Sequence, residues 1–281
     1  MVMPRKYDKG YKCSGKYGDF EVLEYVSKKR VLVRFTKTNH EKWTDTKSIL
    51  AGTVKDPFFP NLHGVGCIGN TTSSLNVDGS TVVKKSYTTW EHMLRRCYAT
   101  NTNLDKTYKD CSVCPEWLCF ENYEVWYDAN YKEGFEVDKD LKYLGNRVYS
   151  PETCTFIPSR INSMVGFKTF NSARKESNAG LPVGVSYHKR DDVYTAQCYD
   201  GDRLVSLGYH ENPDEAFSAY REFKLKMIRS ISSSYYKEGV ISFEIYSNLQ
   251  NCTIHPSGYL KLDKEFENDP LCHATNLSTS R

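Results

Sequence analysis

At 281 residues, the chain is long enough for two or three modules that each bury a core of their own. A hydrophobic content of 39%, a mean hydropathy of −0.61 and the lack of any apolar run near the roughly 18 residues of a membrane span exclude an integral helical membrane protein. The net charge of +3 does not by itself imply a nucleic-acid partner; ten cysteines in so long a chain, after an MVMPRKYDKGYK start without the apolar core of an export signal, point to reduced thiols.

In chain order, two apolar-rich runs at 20–26 and 31–35 flank the polar SKKR and predict a hairpin. WTDTKSILAGTVKDP adds a further short strand or turn closing on Gly52 and Pro57. Residues 1–70 therefore read as a small SH3-like β-barrel with an arm. Residues 57–86, rich in Gly, Asn, Ser and Thr, predict a linker or extended arm. YTTWEHMLRRCY, residues 87–98, places Trp90, Met93, Leu94, Cys97 and Tyr98 on one helical face, with His92, Arg95 and Arg96 outside it. A second helix is expected around 117–127. The Cys-x-x-Cys pair Cys111 and Cys114 has no second pair to complete a four-ligand set, so buried thiols are expected rather than zinc.

Residues 163–182, with SARKESNAGLP, predict a hinge. From Gly184 the pattern alternates in VSYH, VYTAQCY and RLVSLGY, with turns at DD and DGD. Asn212-Pro213-Asp214-Glu215 then opens a helix through AFSAYREFKLKMI, because Asn caps and Pro suits the first turn. Alternation puts Val185 and Tyr187, and Tyr194, Ala196 and Cys198, toward that helix. Ser186, His188, Thr195, Gln197 and Tyr199 then face outward, with Lys189, Arg190 and Arg203 near the turns. Low periodicity beyond about Ser233 predicts a tail over 233–281 with a disordered end.

Charge is uneven along the chain. Lys139, Lys142, Arg147, Arg160, Lys168, Arg174 and Lys175 stand against only Asp140 and Glu152, a stripe that either neutralises phosphates or is simply a solvated face. Within it lies VDKDLKYLGNRVYSPETCTFIPSRIN. If DKD continues a strand, Asp138 and Asp140 share one face and Lys139 takes the other. Two carboxylates and the Asn162 amide oxygen are hard ligands suited to Mg²⁺ or Mn²⁺. The plain alternative is solvated strand charges, a Gly145-Asn146 hairpin turn and a helix-cap Asn162.

Two resemblances sharpen these readings. Gly184-Val185, Tyr194 with Ala196, Leu207-Gly208-Tyr209, Glu215-Ala216 and Ala219-Tyr220 make residues 180–232 similar to an AP2 DNA-binding domain. That implies a three-stranded sheet laid into the major groove of double-stranded DNA. YTTWEHMLRRCY, VCPEWLCFENYEVWY, VDKDLKYLGN and YSPETCTFIPSRIN make residues 85–170 resemble HNH homing-type endonucleases of bacteriophages, which implies a ββα unit holding one Mg²⁺ or Mn²⁺ ion. On that resemblance Asp138 and Asn162 fall on metal-ligand positions, Lys139 on the general-base His and Thr153 on the Asn that orients it. Lys139 and Thr153 depart from the pattern, which puts cleavage in doubt, and His92 is an alternative base. The expected fold is α+β, with a barrel, an HNH-like module and an AP2-like unit. The expected function is a DNA-nicking or homing endonuclease in the cytoplasm of an infected bacterial host, with a non-catalytic DNA-binding protein or a protein-interaction module as alternatives.

Overall fold

A computed structural model describes residues 7–99, 108, 110–166 and 180–263. The fold is mixed α+β, built on several small sheets. The contacts divide the chain into two units, Met1–Asn130 with Val148–Ser150, and Tyr131–Arg147 with Pro151–Arg281.

In the first unit, strands β1 (Lys12–Gly15), β2 (Gly18–Ser27), β3 (Arg30–Phe35) and β4 (Glu41–Thr44) form an antiparallel sheet in sequence order. Alternation buries Phe20 and Val22 on β2 and Val31, Val33 and Phe35 on β3, with Ile49 and Val54 completing the core. The expected barrel is not formed. Among the described residues the sheet stays open, because its edge strands β1 and β4 are four residues each and neither pairs with the other. The short strand or turn expected from WTDTKSIL is the end of β4, which gives way to a helix: the Asp45 carboxylate accepts from the Ser48 amide at 2.8 Å and caps α1 (Thr46–Leu50).

The region expected as a linker carries a hairpin, β5 (Ser74–Val77) and β6 (Ser80–Val83). Its Asn76-Val77-Asp78-Gly79 turn supplies two residues at positive φ, Asp78 and Gly79. Helix α2 (Lys85–Tyr98) buries Trp90, Met93 and Leu94 as the spacing requires. A 3₁₀ turn at Pro115–Leu118 then leads into α3 (Phe120–Asn130), whose Phe120 ring packs on Tyr87 and Trp90. The buried Trp90 indole donates to the Trp117 carbonyl at 2.6 Å. Val113 on β7 (Ser112–Val113) pairs in parallel with Tyr149.

In the second unit, β8 (Phe135–Asp138) pairs antiparallel with Thr155–Pro158, a strand that runs straight into a helix at Ser159–Val165. Numbering Val148–Tyr149 as β9, this strand is β10 and the helix is α4. A three-stranded sheet follows, β11 (Val185–His188), β12 (Val193–Tyr199) and β13 (Leu204–His210), in that order. Helix α5 (Pro213–Lys237) covers one face, burying Ala216, Phe217 and Tyr220 against Val185, Ala196 and Cys198. Its start is the one the sequence predicts: the Asn212 side chain accepts from the Glu215 amide and Pro213 takes the first turn.

Residues 233–263, expected within a tail, form structure instead. Helix α5 continues to Lys237, and α6 (Phe243–Gln250), β14 (Cys252–His255) and β15 (Tyr259–Leu262) add Ile241, Ile245, Leu249, Cys252, Ile254 and Leu260 to the core of this unit. These apolar residues are spread over short elements separated by turns, so no single window shows their periodicity.

Candidate metal centre and nucleic-acid interface

The strand that begins the DKD segment ends at Asp138, so the same-face argument for Asp140 does not hold. Asp138 Oδ1 accepts from the amides of Asp140 at 3.0 Å and Leu141 at 2.7 Å, which turns the chain out of the sheet. Asp138 is buried, and burial, followed by the Asp140 charge, pushes its carboxyl up to about 7. Lys139 is buried as well, and its Nζ lies 2.8 Å from the Asp140 carboxylate. The expected outward, phosphate-seeking Lys139 is thereby replaced by a cation held in an ion pair.

Gly145-Asn146 sits in a turn within a longer excursion: Gly145 has φ +84°, and the Asn146 amide side chain donates back to the Lys139 carbonyl at 2.7 Å. Thr153 is half-buried two residues ahead of β10, whose Thr155 is the partner of Asp138. Asn162 lies on α4 and donates through Nδ2 to the Glu136 carboxylate. Glu136 and Asp138 are two apart on β8 and share a face. The ββα unit thus brings Asp138, Glu136 and Asn162 to one side of a single strand. Glu136 was not among the sequence candidates, although the alternation in FEVD carries the signal.

A second missed residue comes from the supposed tail. Asn248 on α6 donates Nδ2 to the carbonyls of Leu141 at 3.0 Å and Lys142 at 2.9 Å, fixing the chain just after Asp138. Asn248→Ala leaves both carbonyls without that donor and is expected to cost about 1–3 kcal/mol in urea denaturation. Nothing in the local sequence of α6 signals this role.

His92, the alternative base, is half-buried on α2 in the first unit, 3.6 Å from Glu91. Arg147 and Arg160 are exposed. Lys168, Arg174 and Lys175 lie outside the described residues. Cys111 is buried and Cys114 half-buried, and among the described residues no three His, Cys, Asp or Glu are grouped to hold a metal ion.

No family model, curated protein or solved structure matches this chain.

The sheet β11–β13 presents the faces that alternation predicts. Val185, Ala196 and Cys198 are buried under α5, while His188, Gln197 and Tyr199 are exposed and Ser186 and Thr195 half-exposed on the opposite side. Register gives the outer face four rungs: His188–Val193, Ser186–Thr195–Tyr209, Gln197–Ser206 and Tyr199–Leu204. Tyr209 joins through a bulge. Thr195 pairs with Tyr209 and Gln197 with Ser206, so Leu207 and Gly208 together oppose Ala196, with Gly208 at φ +108°. Strict alternation along LVSLGYH would have put Tyr209 on the helix side with Val205 and Leu207; no residue of this strand is assigned to the outer face from sequence. The polar side chains at the turns are tethered: His188 lies 2.9 Å from Asp191, Arg190 3.9 Å from the same carboxylate and Arg203 3.8 Å from Asp200. Lys189 is exposed.

Proposed function

We propose that the chain is a double-stranded-DNA-binding protein of the HNH-like, AP2-bearing phage kind, acting in the cytoplasm of an infected bacterial host. The observation that carries this reading is the outer face of β11–β13, a polar and aromatic surface that no described element covers while α5 covers the other side. The exposed Lys189, Arg190, Arg203, Arg147 and Arg160 supply phosphate contacts around base-reading side chains. Among the described residues no helix is long and apolar enough to cross a membrane.

A second reading, metal-dependent nicking of DNA, is favoured by the ββα unit. Asp138 and Asn162, with Glu136 beside them, offer hard oxygen donors that fit Mg²⁺ or Mn²⁺, and a buried carboxyl that resists ionisation fits a group awaiting a cation. Such an ion, when bound, supplies Lewis-acid polarisation of a phosphate. The chain's own residues then do the rest. The backbone amides of Asp140 and Leu141 orient Asp138, and Glu136 orients Asn162. Lys139 Nζ donates to the Asp140 carboxylate at 2.8 Å, so a hydrogen-bond donor occupies the general base's position. The base position therefore lacks a proton acceptor, which is why DNA binding leads and cleavage is second.

One experiment separates the two. Supercoiled plasmid is incubated with the protein in Mg²⁺ or Mn²⁺ beside Asp138→Ala and Asn162→Ala, and a gel shift is run across a salt series. The lead reading expects a shift that weakens steeply with salt and no nicks above the two variants. Nicks above that background establish the second reading, and Lys139→His is then expected to raise the rate by about 10²-fold or more, the worth of a positioned base. No shift at low salt contradicts both.

A further inference from the structure

The composition of the outer sheet face bears on which DNA it reads, and this inference rests on the duplex-binding reading above. Specific reading of guanine in the major groove relies mostly on Arg or Lys donating twice to its O6 and N7, whereas adenine is read by Asn or Gln and thymine by apolar contact with its methyl group. The four outer rungs of β11–β13 carry His188, which is engaged with Asp191 at 2.9 Å, and Val193, then Ser186, Thr195, Tyr209, Gln197, Ser206, Tyr199 and Leu204. No Lys or Arg stands on any of them. The cations of this unit's sheet lie beyond the rungs, at the turns, where Arg190 and Arg203 are each drawn toward an aspartate.

The Gln197–Ser206 rung is decisive. Gln197 is exposed on the central strand, with Ser206 opposite it. On either side stand large, bare, largely apolar side chains: Tyr209 is 70% exposed, Tyr199 56% and Leu204 61%. Those rings and the leucine are costly to leave in water and suit the methyl-lined edge of thymine runs. The Gly208 bulge is what brings Tyr209 to this face, so the backbone irregularity and the apolar character of the face are one feature.

We infer that the sheet reads an A·T-rich major-groove site, with Gln197 paired to the N6 and N7 of an adenine and Tyr199, Leu204 and Tyr209 against thymine methyl groups. The neutral hydroxyls of Ser186, Thr195 and Ser206 tolerate either base and do not oppose this preference.

The test is fluorescence anisotropy on the full chain with duplexes of equal length whose central six pairs are all A·T or all G·C, in one buffer of fixed salt. The expected result is about tenfold tighter binding to the A·T core, the worth of one good bidentate contact. Gln197→Ala is expected to narrow that ratio to about twofold, and Gln197→Arg to move the preference toward the G·C core. Equal affinity for the two cores, or a G·C preference in the unaltered protein, overturns the inference while leaving duplex binding intact. Tighter binding to the corresponding single strand than to either duplex also overturns it, because the exposed tyrosines would then be stacking platforms. Absence of binding to every probe overturns both this inference and the reading on which it rests.

Discussion

Gly184→Ala is expected to lower the unfolding free energy of the C-terminal unit by about 2–5 kcal/mol. Gly184 precedes β11 with φ +78°, a region where a side chain is strained, and a Cβ there would fall 2.1 Å from the Tyr220 ring on α5. Tyr220 is buried between helix and sheet, so the ring has no room to withdraw. The Gly184 carbonyl also accepts from the Gln197 amide at 2.9 Å, which ties the backbone that must shift to the strand carrying the outer face. Gly180→Ala is the matched control: φ is +85° there too, but nothing lies within 4 Å of the position an alanine methyl would take, so only the backbone penalty of about 1–2 kcal/mol is expected. Denaturant melts of the two variants separate the clash from the strain, and equal costs would refute the tight packing of Tyr220 on Gly184.

The second large effect concerns Asp138. In the folded chain its carboxyl is held up at about 7, first by burial and then by Asp140, against 3.8 for the free group. Between these values the folded state keeps a proton that the unfolded state has lost. Stability from this group is therefore fully present below about 4, declines as pH rises through the window and is gone above about 7. At about 1.36 kcal/mol per pH unit, the window amounts to about 4 kcal/mol, an upper figure because Asp138 remains hydrogen-bonded and close to Lys139. With EDTA present, thermal melts are expected to fall as pH is raised from 5 to 8. Asp138→Asn, which still accepts from the Asp140 and Leu141 amides, should show a nearly flat profile and be the more stable protein at pH 8. Millimolar Mg²⁺ at pH 8 discriminates further. Restored stability in the unaltered protein, absent in Asp138→Asn, indicates a cation on the carboxylate; identical profiles without and with Mg²⁺ indicate that the carboxyl serves only the turn.

Where residue spacing alone decides burial, the sequence is a good guide to this fold. Trp90, Met93 and Leu94 could be placed on one helical face, and Val185, Ala196 and Cys198 on one sheet face, because a single periodicity governs each run. Asn212 could be read as a cap because its effect is local. The errors arise where tertiary contacts or one backbone torsion decide. The strand expected through DKD ends because Asp138 folds back onto its own following amides. Tyr209, assigned to neither face from sequence, stands outward because Gly208 takes a positive φ in a bulge. Asn248 stabilises the Leu141–Lys142 backbone across more than a hundred residues, a relation that local pattern does not contain. The open N-terminal sheet shows the same limit, since strand alternation is identical whether or not the edges close.

These contrasts also order the functional readings. The sheet face follows from alternation plus one bulge and depends on no residue in a departed position. On the proposed nicking reading Asp138 and Asn162 would hold the ion, but Lys139 is ion-paired with Asp140, so cleavage would need a base from elsewhere. The interface is therefore the central claim, and nicking is the claim built on it.

Photo-crosslinking of the full chain to duplex DNA carrying 5-iodouracil, with the adducts mapped by peptide mass spectrometry, tests that claim most directly. Adducts at Tyr199 or Tyr209 on the outer face of β12 and β13 are the expected result. Binding accompanied by adducts confined to residues outside β11–β13 would contradict it.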